Sequence, residues 1–241
     1  MKIRLLIAVF VATCFVSACQ QQDENIEEIK TIQLDEKAAR VVEADNQFGL
    51  ELFQKISVSE TEAENIMVSP LSVALALAMT YNGAEGETKT AMEKTLKKHG
   101  LTADEINASY KTLVNALKSL DSKVILEIAN AIYYRDNFEV EKNFVSLNRE
   151  YYDAEVSPLD FNATGEALAT INGWVAEKTH DKIESIINEI SPAHVMFLLN
   201  AIYFKGIWQK EFNEKSTIEQ DFYLDNENRI QVEMMCKTDT L

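Results

Sequence analysis

The sequence predicts an α+β fold, and three observations lead to that class. Three segments repeat apolar residues at helical spacing, which indicates amphipathic helices. Two other segments are nearly continuous apolar runs rich in branched and aromatic residues. Such runs are typical of strands buried on both faces, although the pattern alone leaves a buried helix open. A segment near the end of the chain has the polar bend of a β-hairpin. With 46% hydrophobic residues, the 241-residue chain can form a sizeable core.

The first eighteen residues have the features of a signal peptide. Lys2 and Arg4 form a short basic head, and residues 5–16 are apolar apart from Thr13. This run is shorter than the ~20 residues of a membrane span, so residues 1–18 are set aside from the fold. The stretch VSAC resembles the bacterial lipobox, which implies that Cys19 is acylated and that the chain is cut before it. An ordinary signal peptide followed by a chance cysteine is the alternative.

The residues after Cys19 predict an envelope location. Gln20 directly after the cysteine implies, by the same resemblance, an outer-membrane lipoprotein facing the periplasm or the cell surface. Multiple acyl chains anchor a protein to a membrane stably, whereas one chain binds marginally. Residues 20–36 are polar and acidic and contain no aromatic side chain. We therefore expect residues 19–37 to form a flexible tether between the lipid and the folded domain.

The charge of the chain bears on its binding partners, and its cysteine content bears on disulfide formation. Cleavage before Cys19 removes Lys2 and Arg4 and leaves 21 basic residues against 39 acidic ones, a net charge of −18. Nucleic acid is excluded as a partner, because phosphate binding needs clusters of lysine and arginine. Cys14 leaves with the signal peptide, so Cys236 is the one cysteine left without a predicted modification. No intrachain disulfide is expected.

One domain is predicted from about residue 38 to residue 241, because no linker rich in proline, glycine or serine interrupts this part. The first helix is indicated by Val41, Phe48, Leu52 and Ile56. Two later helices have the same kind of spacing. They cover residues 103–121 (Ile106, Tyr110, Leu113, Leu117 and Leu120) and residues 166–180 (Leu168, Ile171, Trp174 and Val175).

The predicted strands follow from the apolar runs. Residues 124–134 and 194–204 are the two buried strands, and residues 221–235 form the hairpin with DNEN at its bend. The tetrapeptide Asn-Ala-Ile-Tyr occurs in both strands, at 130–133 and at 200–203. The likeness ends after four residues, so it does not indicate a duplication. An asparagine in the middle of a buried strand nevertheless needs a hydrogen-bond partner.

Two hydroxyls stand at the start of the apolar segment SPLSVALALAMTY. Ser69 is a natural N-cap, and Pro70 suits the first position of a helix. Capping explains Ser72 less well, because an exposed serine in the first turn would satisfy helix propensity equally.

The chain contains no recognisable catalytic or metal-binding motif. His99, His180 and His194 are scattered, and HExxH, CxxC, GxSxG and Gly-rich phosphate loops do not occur. Glu177 and His180 have the Glu-x-x-His spacing of di-iron sites, but such sites need two copies, so a solvated helix surface is the simpler interpretation. Cys236 in a strand is interpreted as structural. We expect no enzyme activity and no cofactor.

Four segments together resemble the serpins. They occur in the family's order and approximate spacing: NIMVSPLS at 65–72 with the helix after it, INGWV at 171–175, LLNAIYFKGIW at 198–208 and VEMM at 232–235. The first resembles the second serpin helix with its lead-in strand, and the third is the most specific match. The resemblance covers the chain from about residue 40 onward.

The resemblance implies a fold and a set of site residues. Serpins pack helices around a large mixed or antiparallel central sheet, with smaller sheets beside it. Ser69 and Ser72 match two serines beneath the centre of the main sheet, and Asn200 matches a strand asparagine in the same network, which is called the shutter. Capping alone is the alternative for the serines. Trp208 matches the tryptophan near the top of the sheet, where loop insertion begins; an ordinary core tryptophan is the alternative.

The resemblance also implies a function. Serpins inhibit serine or cysteine proteases as suicide substrates: the cleaved reactive loop inserts into the main sheet and carries the protease with it. In members of the family, that loop lies near the C-terminus of the chain. We therefore expect residues 38–241 to be the N-terminal two-thirds of a serpin domain, without the loop and inactive alone. The alternative is a non-inhibitory, membrane-anchored lipoprotein that acts as a binding or scaffolding module.

Overall fold

The computed structural model describes residues 31–60, 65–208, 210–224 and 228–238. Six α-helices lie in these ranges: α1 (Glu36–Ser59), α2 (Pro70–Tyr81), α3 (Gly86–Thr95), α4 (Ala103–Lys118), α5 (Lys142–Tyr152) and α6 (Thr164–Lys178). The strands are β1 (Val124–Arg135), β2 (Glu155–Leu159), β3 (Met196–Gly206), β4 (Ile218–Tyr223) and β5 (Arg229–Met234). A 3-10 turn covers Glu214–Ser216. The predicted signal peptide, the lipidation site Cys19 and most of the predicted tether lie outside the described residues.

The first helix begins where its cap is. The Asp35 carboxylate accepts a hydrogen bond from the Ala38 amide at 2.7 Å, so α1 begins at Glu36, two residues before the predicted start of the domain. Val41 and Phe48 on its inner face are buried, as their spacing predicts. The helix α1 packs against α2 closely enough that a Cβ added to Gly49 would lie 2.7 Å from the Pro70 Cβ.

The two later helices are confirmed with slightly different ends. A capping box starts α4: Glu105 N–H donates to the Thr102 hydroxyl, and Thr102 N–H donates to the Glu105 carboxylate. The helix ends at Lys118, three residues before the predicted end. In α6, Ile171 and Trp174 are buried as predicted, while the helix begins at Thr164 and ends at Lys178.

The central sheet of the described chain has the strand order β2-β1-β3. The strands β1 and β3 are antiparallel, with Asn130 opposite Asn200, and β2 runs parallel to the end of β1. Because parallel neighbours need a crossover connection, α5 lies between β1 and β2 in the chain. The serpin-like arrangement of helices around a mixed sheet is therefore present, and a smaller antiparallel sheet is formed by β4 and β5.

Two hydrophobic cores cover the two faces of this sheet. On one face, Ile128, Ile132 and Leu198 join the core formed with α1, α2 and α4. On the other face, Leu199 and Ala201 pack into the core that includes α6. The prediction of strands buried on both faces thus holds at the centre of the sheet. It is wrong where β1 begins and β3 ends, because Ile125 is 47% exposed and Phe204 is 67% exposed in the described chain.

The smaller elements show what the pattern predicted and what it missed. The hairpin is confirmed as β4 and β5, paired from Ile218 opposite Met234, and its bend at 225–227 lies outside the described residues. Residues 65–69, expected as a lead-in strand, form no strand, because none of the described strands pairs with them. The helices α3 and α5 and the strand β2 were not predicted.

Candidate functional site

The two serines at the start of α2 interact with each other. The Ser69 Oγ accepts a hydrogen bond from the Ser72 amide at 3.4 Å, which makes Ser69 the N-cap. The Ser69 hydroxyl also donates to the Ser72 Oγ at 3.0 Å. Ser69 is exposed and Ser72 is half-buried in the described chain. The serine pair therefore closes the N-terminal end of α2, the helix that packs against β3.

Asn200 pairs with the other strand asparagine. Its Nδ2 donates to the Asn130 Oδ1 at 2.8 Å and approaches the Ala129 carbonyl oxygen at 3.4 Å. Asn130 is only 4% exposed. The requirement that each strand asparagine find a partner is thus met partly by the other asparagine. The Asn200 Oδ1, however, is buried and accepts no hydrogen bond from a described residue.

A chain of polar side chains continues from this pair into the helices. The Asn130 Nδ2 donates to the Tyr152 carbonyl oxygen at 2.7 Å, and the Tyr152 hydroxyl donates to the Asn107 Oδ1 at 2.7 Å. The Asn107 Nδ2 donates to the Asn82 Oδ1 at 2.8 Å, and the Asn82 Nδ2 approaches the Asn148 Oδ1 at 3.4 Å. This network links β1, α5, α4 and the end of α2 through buried and half-buried groups.

The three residues matched to the shutter are not directly joined in this structure. No hydrogen bond between described residues connects Ser69 or Ser72 to Asn200. The helix that carries the serines does pack against the strand that carries Asn200. Their common role in a network therefore stays a prediction, with the buried Asn200 Oδ1 as the open position.

A buried ion pair that the sequence analysis missed ties α1 to the segment before α4. Lys98 is 1% exposed, and its Nζ donates to the Asp45 Oδ1 at 2.6 Å and to the Val41 carbonyl oxygen at 3.1 Å. The Tyr110 hydroxyl donates to the same Asp45 oxygen at 2.8 Å. Burial raises the pKa of the Asp45 carboxyl and lowers the pKa of the Lys98 ammonium, and the charge of each group opposes the shift of the other. Lys98 stands between Lys97 and His99 in the sequence, so its local pattern is that of a solvated charge and gives no sign of burial.

Trp208 lies beyond the end of β3 and is not a core residue of the described chain. Trp208 is 65% exposed. Its ring packs edge-on against the Phe212 ring, with 5.4 Å between the ring centroids. The Lys237 ammonium, which follows β5 in the chain, lies 5.6 Å from the centroid of the Phe212 ring. The interpretation as an ordinary core tryptophan is therefore not supported by these contacts, and its role in loop insertion stays a prediction.

The titratable side chains that were considered for chemistry are engaged elsewhere. The His180 Nε2 lies 2.7 Å from the Glu127 Oε2, and Glu177 pairs with Lys178. Cys236 is a free, half-buried thiol. Among the described residues, no three His, Cys, Asp or Glu side chains are grouped so that they could hold a metal ion. None of the helices in the described ranges is both long and apolar enough to span a membrane.

Comparison with known proteins identifies the family. A sequence model described as Serpin (serine protease inhibitor) matches residues 43–241. Serpin B6 of Bos taurus is 34% identical over 203 residues, which are 82% of this chain and 53% of that protein. Intracellular coagulation inhibitor 2 of Tachypleus tridentatus is 35% identical over 198 residues, or 80% of this chain and 48% of that protein.

Solved structures agree with the sequence match. The thermophilic serpin tengpin, in its latent state, is 37% identical and superposes with a TM-score of 0.71 over 84% of this chain and 53% of its own. The chain spans about half the length of the relatives that it matches. The family model and these likenesses together show that the chain belongs to the serpin family.

Proposed function

We propose that this chain is the N-terminal part of a serpin-type inhibitor that traps serine or cysteine proteases as a suicide substrate. The protease would cleave an exposed loop and remain attached to it as an acyl-enzyme. The cleaved loop would then enter the central sheet as a new strand and distort the protease. The loop would be supplied by residues that follow Leu241. The similarity to a relative named as a coagulation inhibitor supports the assignment to inhibition.

The free edge of β3 is the observation that carries this proposal. In the described chain β3 is 11 residues long and pairs with β1 along one edge only. Unpaired backbone amides and carbonyls along a strand accept another strand by adding hydrogen bonds to the sheet.

The serine pair and Trp208 would assist the opening of the sheet. Ser69 and Ser72 hydrogen-bond to each other, and hydroxyls can exchange partners as neighbouring groups move. We assign Ser69, Ser72 and Asn200 to one network that changes partners when the sheet parts. Trp208, exposed at the end of β3, would lie where insertion begins.

The proposal includes a membrane anchor. Cleavage before Cys19 and acylation of its thiol would hold the domain at the bacterial outer membrane through an acidic tether. The net charge of −18 that follows from this cleavage would keep the domain soluble and away from the acidic headgroups.

A test of inhibition requires the protein expressed from its complete reading frame, with any residues that follow Leu241. The purified protein is mixed with trypsin-like, chymotrypsin-like and papain-like proteases, and the products are boiled in SDS. The proposal predicts a band at the summed mass with at least one protease. A protease whose catalytic serine is replaced by alanine is the matched control and gives no such band. Cleavage by every protease without a complex would contradict inhibition and favour the binding or scaffolding alternative.

A further inference from the structure

A cavity of about 260 Å³ opens between α4 and α5 and reaches down to β1. Its floor is apolar, because Leu75 of α2 and Ile128 of β1 line it and both are buried. Val114 adds an apolar wall from α4. Pockets for drug-sized ligands begin at about 300 Å³, so this cavity fits a smaller molecule that carries an apolar group.

Four charged side chains line the same cavity, and their signs are divided between two elements. Lys111 and Lys118 belong to α4, whereas Glu150 lies on α5 and Asp153 follows α5 directly. None of the four lies within the 4.0 Å ion-pair distance of an opposite charge in the described chain, although α4 and α5 are in contact. The cavity thus separates two cations from two anions that do not neutralise each other directly.

All four charged residues are exposed, and a contact with an aromatic ring limits the position of one of the charges. The Lys111 ammonium lies 5.6 Å from the centroid of the Tyr151 ring, a cation–π contact that limits where the charge can go. Asp153 is the C-cap of α5 in a left-handed conformation (φ 51°), and its amide donates to the Asn148 carbonyl oxygen. A ligand that meets the Lys111 charge already in place binds with less loss of side-chain entropy, and the fixed backbone at Asp153 sets where its side chain starts.

We infer that this cavity binds a small zwitterion with an apolar body, of the class of a free α-amino acid with an apolar side chain. The ligand carboxylate would face Lys111 and Lys118, its ammonium would face Glu150 and Asp153, and its side chain would cover the apolar floor. A purely anionic ligand would meet the two carboxylates, and a purely cationic one would meet the two lysines. Only a molecule with both charges complements both walls.

Isothermal titration calorimetry with L-phenylalanine tests this inference. Two analogues each lack one charge: L-phenylalaninamide has no carboxylate, and N-acetyl-L-phenylalanine has no ammonium. The inference predicts saturable one-to-one binding of phenylalanine. Each analogue binds more weakly by a factor of about 3 to 5, which is the size expected of a solvent-accessible ion pair. Absence of saturable phenylalanine binding at millimolar concentration would overturn the inference, and so would equal binding of all three compounds.

Variants locate the binding in this cavity. The Lys111→Met/Lys118→Met double variant should lose the preference for phenylalanine over its amide, and Glu150→Gln should reduce the preference over the N-acetyl derivative. Lys142→Met is the matched control, because Lys142 is exposed on α5 and does not line the cavity. Circular dichroism verifies that each variant is folded. Unchanged preferences in folded cavity variants would place the binding elsewhere and overturn the inference.

Discussion

Asn200 and Asn130 lie opposite each other in the antiparallel register of β3 and β1, and the Asn200 Nδ2 donates to the Asn130 Oδ1 at 2.8 Å. This bond joins the strand with the free edge to a polar network that reaches Tyr152 and Asn107. One hydrogen-bond acceptor of Asn200 stays buried and unused. The pair therefore connects the strand at which another strand would be added with the polar groups of α4 and α5.

The first prediction concerns this pair. Because Asn130 is buried and Asn200 is half-buried, Asn130→Ala and Asn200→Ala should each reduce the free energy of unfolding, and the double variant should lose less than the sum. The expected coupling is about 0.5–1.5 kcal/mol, the net value of a buried hydrogen bond, measured by urea unfolding in a double-mutant cycle. The same cycle with Asn200→Ala and the distant Ser57→Ala is the control and should be additive. A coupling near zero would show that the bond contributes nothing to stability.

A second prediction follows from the half-buried position of Ser72 in the first turn of α2, the helix that packs against β3. A phenylalanine there would have to fit where a half-buried serine packs, so Ser72→Phe should lower the free energy of unfolding by about 1–3 kcal/mol through overpacking. Ser57→Phe makes the same change on the exposed face of α1 and should stay within about 0.5 kcal/mol of the parent. An unchanged thermal midpoint for Ser72→Phe would show that the Ser72 side chain is not closely packed against its neighbours.

A third prediction tests the buried ion pair. Removing the ammonium with Lys98→Met leaves the Asp45 carboxylate buried without its cation, which should cost about 3–5 kcal/mol at neutral pH. Lys97→Met, which removes a partly exposed pair with Glu51, is the control and should cost at most about 1 kcal/mol. The Asp45→Leu/Lys98→Met double variant should recover most of the loss, because no uncompensated charge remains. Equal losses for the single and double variants would contradict this account.

The loss in Lys98→Met should also depend on pH. Burial raises the pKa of the Asp45 carboxyl in the folded protein. The stability that the protonated carboxyl contributes to the fold is therefore present at low pH and is lost as the pH rises through the folded-state pKa. Unfolding measured across the acidic range should therefore show a smaller deficit for the variant as the pH falls. A deficit that grows on acidification would mean that Asp45 is not the group responsible.

The membrane anchor gives a fourth prediction. If Cys19 carries the lipid, Cys19→Ala should shift the protein from the membrane fraction to the soluble fraction, because no acyl chain can be attached. Cys14→Ala is the control, since that residue would leave with the signal peptide, and it should not change the distribution. Retention of the Cys19→Ala protein in the membrane fraction would contradict acylation at this residue.

The sequence predicted the two strands whose residues are buried on both faces of the sheet. The apolar runs became β1 and β3, and the repeated Asn-Ala-Ile-Tyr stretch placed Asn130 and Asn200 where each needs a partner. These elements have clear patterns because they are covered on both faces at the centre of the sheet. The smaller strand β2 has only five residues and contains Pro158, so it carried no comparable signal.

The missed features depend on contacts between distant residues. The helix α3 has no buried residue, so its sequence has no apolar face from which a helix could be predicted. Lys98 and Asp45 lie 53 positions apart, and each alone has the pattern of a solvated charge. The serines at α2 were found from local capping rules, but their separation from Asn200 in this structure is a matter of tertiary packing, which local spacing does not fix.

Hydrogen–deuterium exchange along β3 tests the central claim most directly. The protein from its complete reading frame is measured before and after cleavage by a protease, with residues 196–206 followed by mass spectrometry. Insertion of a strand beside β3 predicts that backbone amides on its free edge, which have no partner in the described chain, become protected from exchange. Cleavage that leaves exchange in this segment unchanged would contradict the use of this edge for inhibition.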